Sequence, residues 1–168
     1  MFKNNPIIPL LIIVTVCVLS CQKIVSYPPE PEIKFESFKL KDTVDLIGNN
    51  IKLGELIFSF IDGDGDIGLG QPDSIYENDS TNINLFFTLF DLEKGEFIEI
   101  EDDDLETPLN YRIPFMERTG QNKTLQGEIQ VNFEYYIIRY DTIKYDFYIT
   151  DREQHLSNIE STDTIVFN

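Results

Sequence analysis

From Leu125 to Tyr135 the chain alternates without a break. Leu125, Gly127, Ile129, Val131, Phe133 and Tyr135 fall on one side, and Gln126, Glu128, Gln130, Asn132 and Glu134 on the other. A side-chain period of two belongs to extended β structure, so this segment reads as a strand with one apolar and one wet face. Such a face has to be covered by a second layer, and the rest of the chain supplies candidates. Ile143, Tyr145, Phe147 and Ile149 repeat the pattern against Thr142, Lys144, Asp146 and Thr150. Ile83, Leu85, Phe87 and Leu89 share a face, and Glu93-Lys94-Gly95-Glu96 turns the chain back into Phe97 to Ile100. Leu56, Phe58 and Phe60 alternate with Ile57, Ser59 and Ile61, so that strand is apolar on both sides and reads as central. In the first strand Ile33 and Phe35 lie in one phase and Phe38 and Leu40 in the other, which leaves its buried face open. Thr164 to Phe167 closes the series. No helical period lasts beyond a turn or two. Seven to nine strands therefore predict an all-β, antiparallel sandwich over residues 32–168.

The chain before the first strand has another character. Lys3 is followed by an apolar run from Pro6 to Leu19 that is short for a membrane span, and the run ends in Val18-Leu19-Ser20-Cys21. This ending resembles the lipobox of bacterial lipoproteins. The resemblance implies a signal peptide over 1–20 and a diacylglycerol on the thiol of Cys21, which becomes the new N-terminus. Gln22 stands where an Asp would retain such proteins at the inner membrane, so the resemblance implies an outer-membrane lipoprotein, with the side it faces left open. Cys17 leaves with the signal. Once Cys21 is lipidated no thiol remains for a disulfide, a nucleophile or a thiolate metal site. Residues 21–31, with Tyr27-Pro28-Pro29-Glu30-Pro31, read as an extended tether. A net charge of −17 excludes nucleic acid and polybasic adhesion to anionic lipid as partners. The run Glu101-Asp102-Asp103-Asp104 reads as a solvated loop.

One segment carries recognisable chemistry: Asp62-Gly63-Asp64-Gly65-Asp66-Ile67-Gly68. Alternating Asp and Gly lets the chain curl while carboxylates converge, which suits a hard cation with six to eight oxygen ligands. Counted from Asp62, the carboxylate positions of an EF-hand loop fall on Asp62, Asp64, Asp66 and Asp73. Position six is Ile67 and not Gly, the last ligand is Asp and not Glu, and the flanks are strands. An EF-hand is therefore excluded, and the expectation is a strand-flanked calcium loop with a dissociation constant of ~10⁻⁴ to 10⁻³ M. The alternative is a hydrated turn made of residues that turns prefer.

Tyr145-Asp146-Phe147-Tyr148-Ile149-Thr150-Asp151-Arg152, followed by Ser157-Asn158 and a last strand, resembles the closing strands of bacterial immunoglobulin-like domains. Gln154-His155 stand where those domains usually carry Gly-Asn. With the lipobox, the Pro-rich tether and Phe60 to Gly68, the chain is similar to Bacteroidota-type lipoproteins built on such a domain. The resemblance implies a fold and a location and no particular activity. Enzyme chemistry finds little support: His155 is the only histidine, no nucleophile elbow precedes any serine near it, and zinc lacks ligands. An acidic hydrolase pair cannot be picked out of 30 acids. The expectation is a non-enzymatic, lipid-anchored binding or scaffolding module with a protein or polysaccharide partner. For a polysaccharide, Phe86, Phe90, Tyr136, Tyr140 and Tyr148 are the candidate stacking rings, although the chain contains no Trp.

Overall fold

The computed structural model describes residues 26–70, 82–101, 109–117 and 123–167. The signal, Cys21, Asp73 and Asp102 to Asp104 lie outside the described residues. Nine strands are present among those described: β1 (Glu32–Val44), β2 (Asn50–Asp62), β3 (Leu85–Glu93), β4 (Glu96–Glu99), β5 (Asn110–Tyr111), β6 (Leu125–Tyr135), β7 (Thr142–Ile149), β8 (Glu160–Ser161) and β9 (Ile165–Val166). They form an antiparallel, immunoglobulin-like sandwich. One sheet has the order β1-β2-β6. In the other β3 pairs with β7, β4 and β5 share the far edge of β3, and β8 and β9 share the far edge of β7.

The alternating segments became strands in the phase their sequences predict. In β6 Val131 and Phe133 are buried while Glu128, Gln130 and Asn132 are exposed. β2 is the central strand of its sheet, which its two apolar faces predict. The β3–β4 hairpin closes through Lys94 and Gly95, both at positive φ, the geometry of a two-residue primed turn. The ambiguity of β1 has a local cause. Its register against β2 shifts between Phe35 and Ser37, so Glu36 is an extra residue. This bulge moves the inward phase from Ile33 and Phe35, opposite Phe60 and Phe58, to Phe38 and Leu40, opposite Leu56 and Gly54. Both apolar sets therefore reach the same core.

That core is aromatic. Phe58 meets Phe147 across the sheets with ring centroids 5.2 Å apart. Phe133 lies flat against Tyr145 at 4.9 Å and takes Phe87 edge-on at 5.2 Å. The sheets are also joined along the β1 edge, where Asn158 acts as a piece of strand. Its Oδ1 accepts from Ile33 N–H at 2.8 Å, and its Nδ2 donates to Ile33 O at 2.9 Å and to Glu160 Oε1 at 3.1 Å. Glu160 Oε2 accepts from Phe35 N–H at 2.9 Å.

Because Ile33 is buried, Asn158→Ala would leave both of its main-chain groups short of a partner. We expect a loss of about 2 kcal/mol in urea unfolding with an unchanged slope. A loss under about 0.5 kcal/mol would mean that water replaces the amide without cost.

Candidate metal site

The Asp-rich segment leaves β2 at its last residue, Asp62, and this residue organises the loop. Asp62 is fully buried. Its Oδ2 accepts from the N–H groups of Asp66 at 2.7 Å and Ile67 at 2.9 Å, which folds the loop back on itself. Gly65 sits at φ 70°, left-handed backbone that the curl requires. Ile67 is fully buried in the main core. This explains why the residue where an EF-hand loop needs Gly is a large hydrophobe: the loop hangs from the core by it. Gly63 is needed for a different reason. Its N–H donates to Pro28 O at 3.1 Å, and a Cβ there would lie 2.0 Å from the same oxygen. The end of the tether thus crosses directly over the loop.

Asp62, Asp64 and Asp66 converge, with one carboxylate oxygen from each within 4.8 Å of the others. Oxygens on a sphere around calcium, at 2.3–2.6 Å from the ion, are at most about 5 Å apart, so the spacing fits one ion. No protein donor reaches the buried Oδ1 of Asp62 or of Asp66. The donors of the turn go to Asp62 Oδ2 alone. Burial raises the pKa of Asp62, and the neighbouring Asp64 raises it further, against the two N–H bonds that lower it. Asp66 is pushed up to about 6, first by burial and then by Asp151, Asp64 and Asp62, with Arg152 opposing. Both groups are shielded from water, Asp62 completely and Asp66 in part, and they repel one another.

Asp151 was not legible as part of this site. It is fully buried at the turn after β7 and lies close enough to act on Asp66. Its Oδ1 accepts from His155 N–H and its Oδ2 pairs with His155 Nδ1, both at 2.8 Å. This bond is the main cause that raises the His155 pKa. The turn is tight enough to hold Gln154 at φ 70°. The only signal in the sequence was an Asp ending an aromatic strand, and its proximity to Asp66 is a tertiary fact.

The candidate sugar-stacking rings do not form one platform. Phe86 and Tyr148 are stacked on each other at 4.9 Å on the outer face of the β3–β7 sheet, and Lys144 Nζ covers Phe90 at 4.6 Å. Tyr136 and Tyr140 belong to the β6–β7 connection, Tyr136 exposed and Tyr140 packed against the core.

The raised carboxyls give the metal-free protein a defined pH response. A folded-state pKa above the unfolded 3.8 means that the folded state holds more protons between about pH 4 and pH 6, so stability falls as pH rises through that window. His155, also raised above 6.5, extends the fall to higher pH. In chelator, melting temperature is expected to drop from pH 4 to 7, and Asp66→Asn to remove part of the fall below pH 6, the rest belonging to Asp62. An unchanged profile in the variant would show that Asp66 is solvated.

Comparison with known proteins adds no relative: no protein-family model, no curated protein and no solved structure matches the chain.

Proposed function

We propose that this is a lipid-anchored cell-envelope protein that works as a non-enzymatic binding or scaffolding module, with its Asp-rich loop ordered by calcium. The observation that carries the calcium reading is the convergence of three carboxylates, one of which, Asp62, has a buried Oδ1 that no protein donor reaches. The donor set is all oxygen, which suits calcium and leaves the remaining coordination positions to water or main-chain carbonyls. The site braces the module where it meets its tether, because Pro28 is bonded to Gly63 inside the loop. An ion there stiffens the joint between anchor and sandwich.

Calcium at about 100 times its dissociation constant would add about 2.7 kcal/mol if it binds only the folded state. Asp64→Asn is the informative variant, because Asp62 also holds the turn. It is expected to abolish most of that gain and, in chelator, to leave the melting temperature equal or slightly higher through relieved repulsion. Equal melting of the unaltered protein in chelator and in millimolar calcium would reduce the site to a turn.

The anchor is tested separately. Cys21→Ala is expected to abolish incorporation of labelled fatty acid and to move the protein out of the membrane fraction. Unchanged labelling and fractionation would overturn the lipoprotein reading.

A further inference from the structure

A sandwich must protect its edge strands, since each offers a row of unpaired main-chain donors and acceptors. Among the described residues every edge but one is blunted. β1 carries the bulge at Glu36 and is covered by Asn158 and Glu160. The other sheet ends in β4 and β5 on one side and β8 and β9 on the other, strands of two to four residues. β6 is different. It runs for 11 residues, pairs with β2 in unbroken register, and contains no Lys, Arg or Pro. Its other edge has no strand partner among the described residues.

Beside that edge the sandwich is open. Two adjoining cavities of about 420 and 380 Å³ share Tyr111 and Asn132 and so form one groove along β6 from Ile129 to Tyr135. Its apolar lining includes Leu89 and Phe133 in the larger part and Leu85 and Val131 in the smaller. The volumes are in the range of ligand pockets, and residues of β6 line both cavities.

We propose that β6 captures an extended segment of a partner protein, which adds antiparallel or parallel to the sheet as its fourth strand. The inference rests on the binding-module reading and gives the partner its chemistry. The main chain of β6 supplies the hydrogen bonds, and alternate apolar side chains of the incoming strand enter the groove. Its outward positions meet Gln126, Glu128, Gln130, Asn132 and Glu134, a face with two acids and no base, so Lys or Arg is favoured there. A second copy of the chain is disfavoured by a net charge of −17 on each.

The probe is an end-blocked peptide of about ten residues alternating Val and Lys, titrated into the full chain at physiological salt, where the screening length is about 8 Å. We expect saturable one-to-one binding, with amides of β6 gaining protection from hydrogen exchange. The same peptide N-methylated at alternate residues keeps its charge and side chains but loses main-chain donors, and is expected to bind at least about tenfold more weakly. Glu128→Lys is expected to weaken the unmethylated peptide as well. Equal binding of the two peptides, protection confined to residues outside β6, no binding, or a dimer whose β6 amides are already protected would each overturn strand capture. Failure here, with the calcium shift and Cys21 labelling intact, removes only this mode of binding. Loss of those two with β6 protection retained removes the anchored, calcium-ordered reading and leaves capture standing.

Discussion

Side-chain packing between the two sheets is the interaction on which everything else rests. Both cysteines precede residue 22, so no covalent link can tie one sheet to the other. The spacing of the layers is fixed by large rings: Phe58 on Phe147, and Phe133 between Phe87 and Tyr145. Rings of this size bring polar tips into the core, and each tip needs a partner. Tyr145 hydroxyl meets Tyr135 hydroxyl at 3.0 Å, and burial raises both pKa values, so the pair stays neutral. Thr162 accepts from Tyr145 N–H through Oγ1 and donates its own N–H to Tyr145 O, which fixes the middle of β7 against the last segment.

Fixing the layers in this way leaves the sheet ends and edges to separate solutions, and the polar residues are used there. Asn84 is buried where β3 begins. Its Oδ1 accepts from Ile113 N–H at 2.7 Å and its O from Thr150 N–H at 3.0 Å, joining three segments at the end of the sandwich that also bears the Asp-rich loop. Asn158 and Glu160 perform the same service along β1. In each case a short polar side chain satisfies main-chain groups that the sheet ladder does not reach, which keeps buried donors and acceptors paired.

How much of this could be read from the sequence depends on the range of each interaction. β2, β3, β6 and β7 were legible because alternation is a local record of a one-sided environment. β1 resisted because a single bulged residue, Glu36, reverses the phase, and nothing in the sequence marks a bulge. β5 and β8 are two residues each and exist only because β3 and β7 present an edge to them, whereas the last strand, read at Thr164 to Phe167, is present as β9 (Ile165–Val166). At the candidate site the spacing of Asp62, Asp64 and Asp66 was visible, whereas the contribution of Asp151 depends on where the end of β7 arrives. Asp73 falls outside the described residues.

Ile67 shows why the loop departs from the EF-hand pattern it partly matches. In an isolated loop the carboxylates converge only when an ion pulls them together, and the ordering entropy is charged against binding. Here Ile67 is held in the core and Asp62 Oδ2 is bonded to two N–H groups, so convergence is imposed by folding. The cost appears instead as raised pKa values at Asp62 and Asp66. A cation entering this loop would find its ligands already placed and would act mainly by cancelling repulsion. Protonation cancels the same repulsion, so acid and calcium are alternative ways of stabilising one arrangement of side chains, and the two should compete.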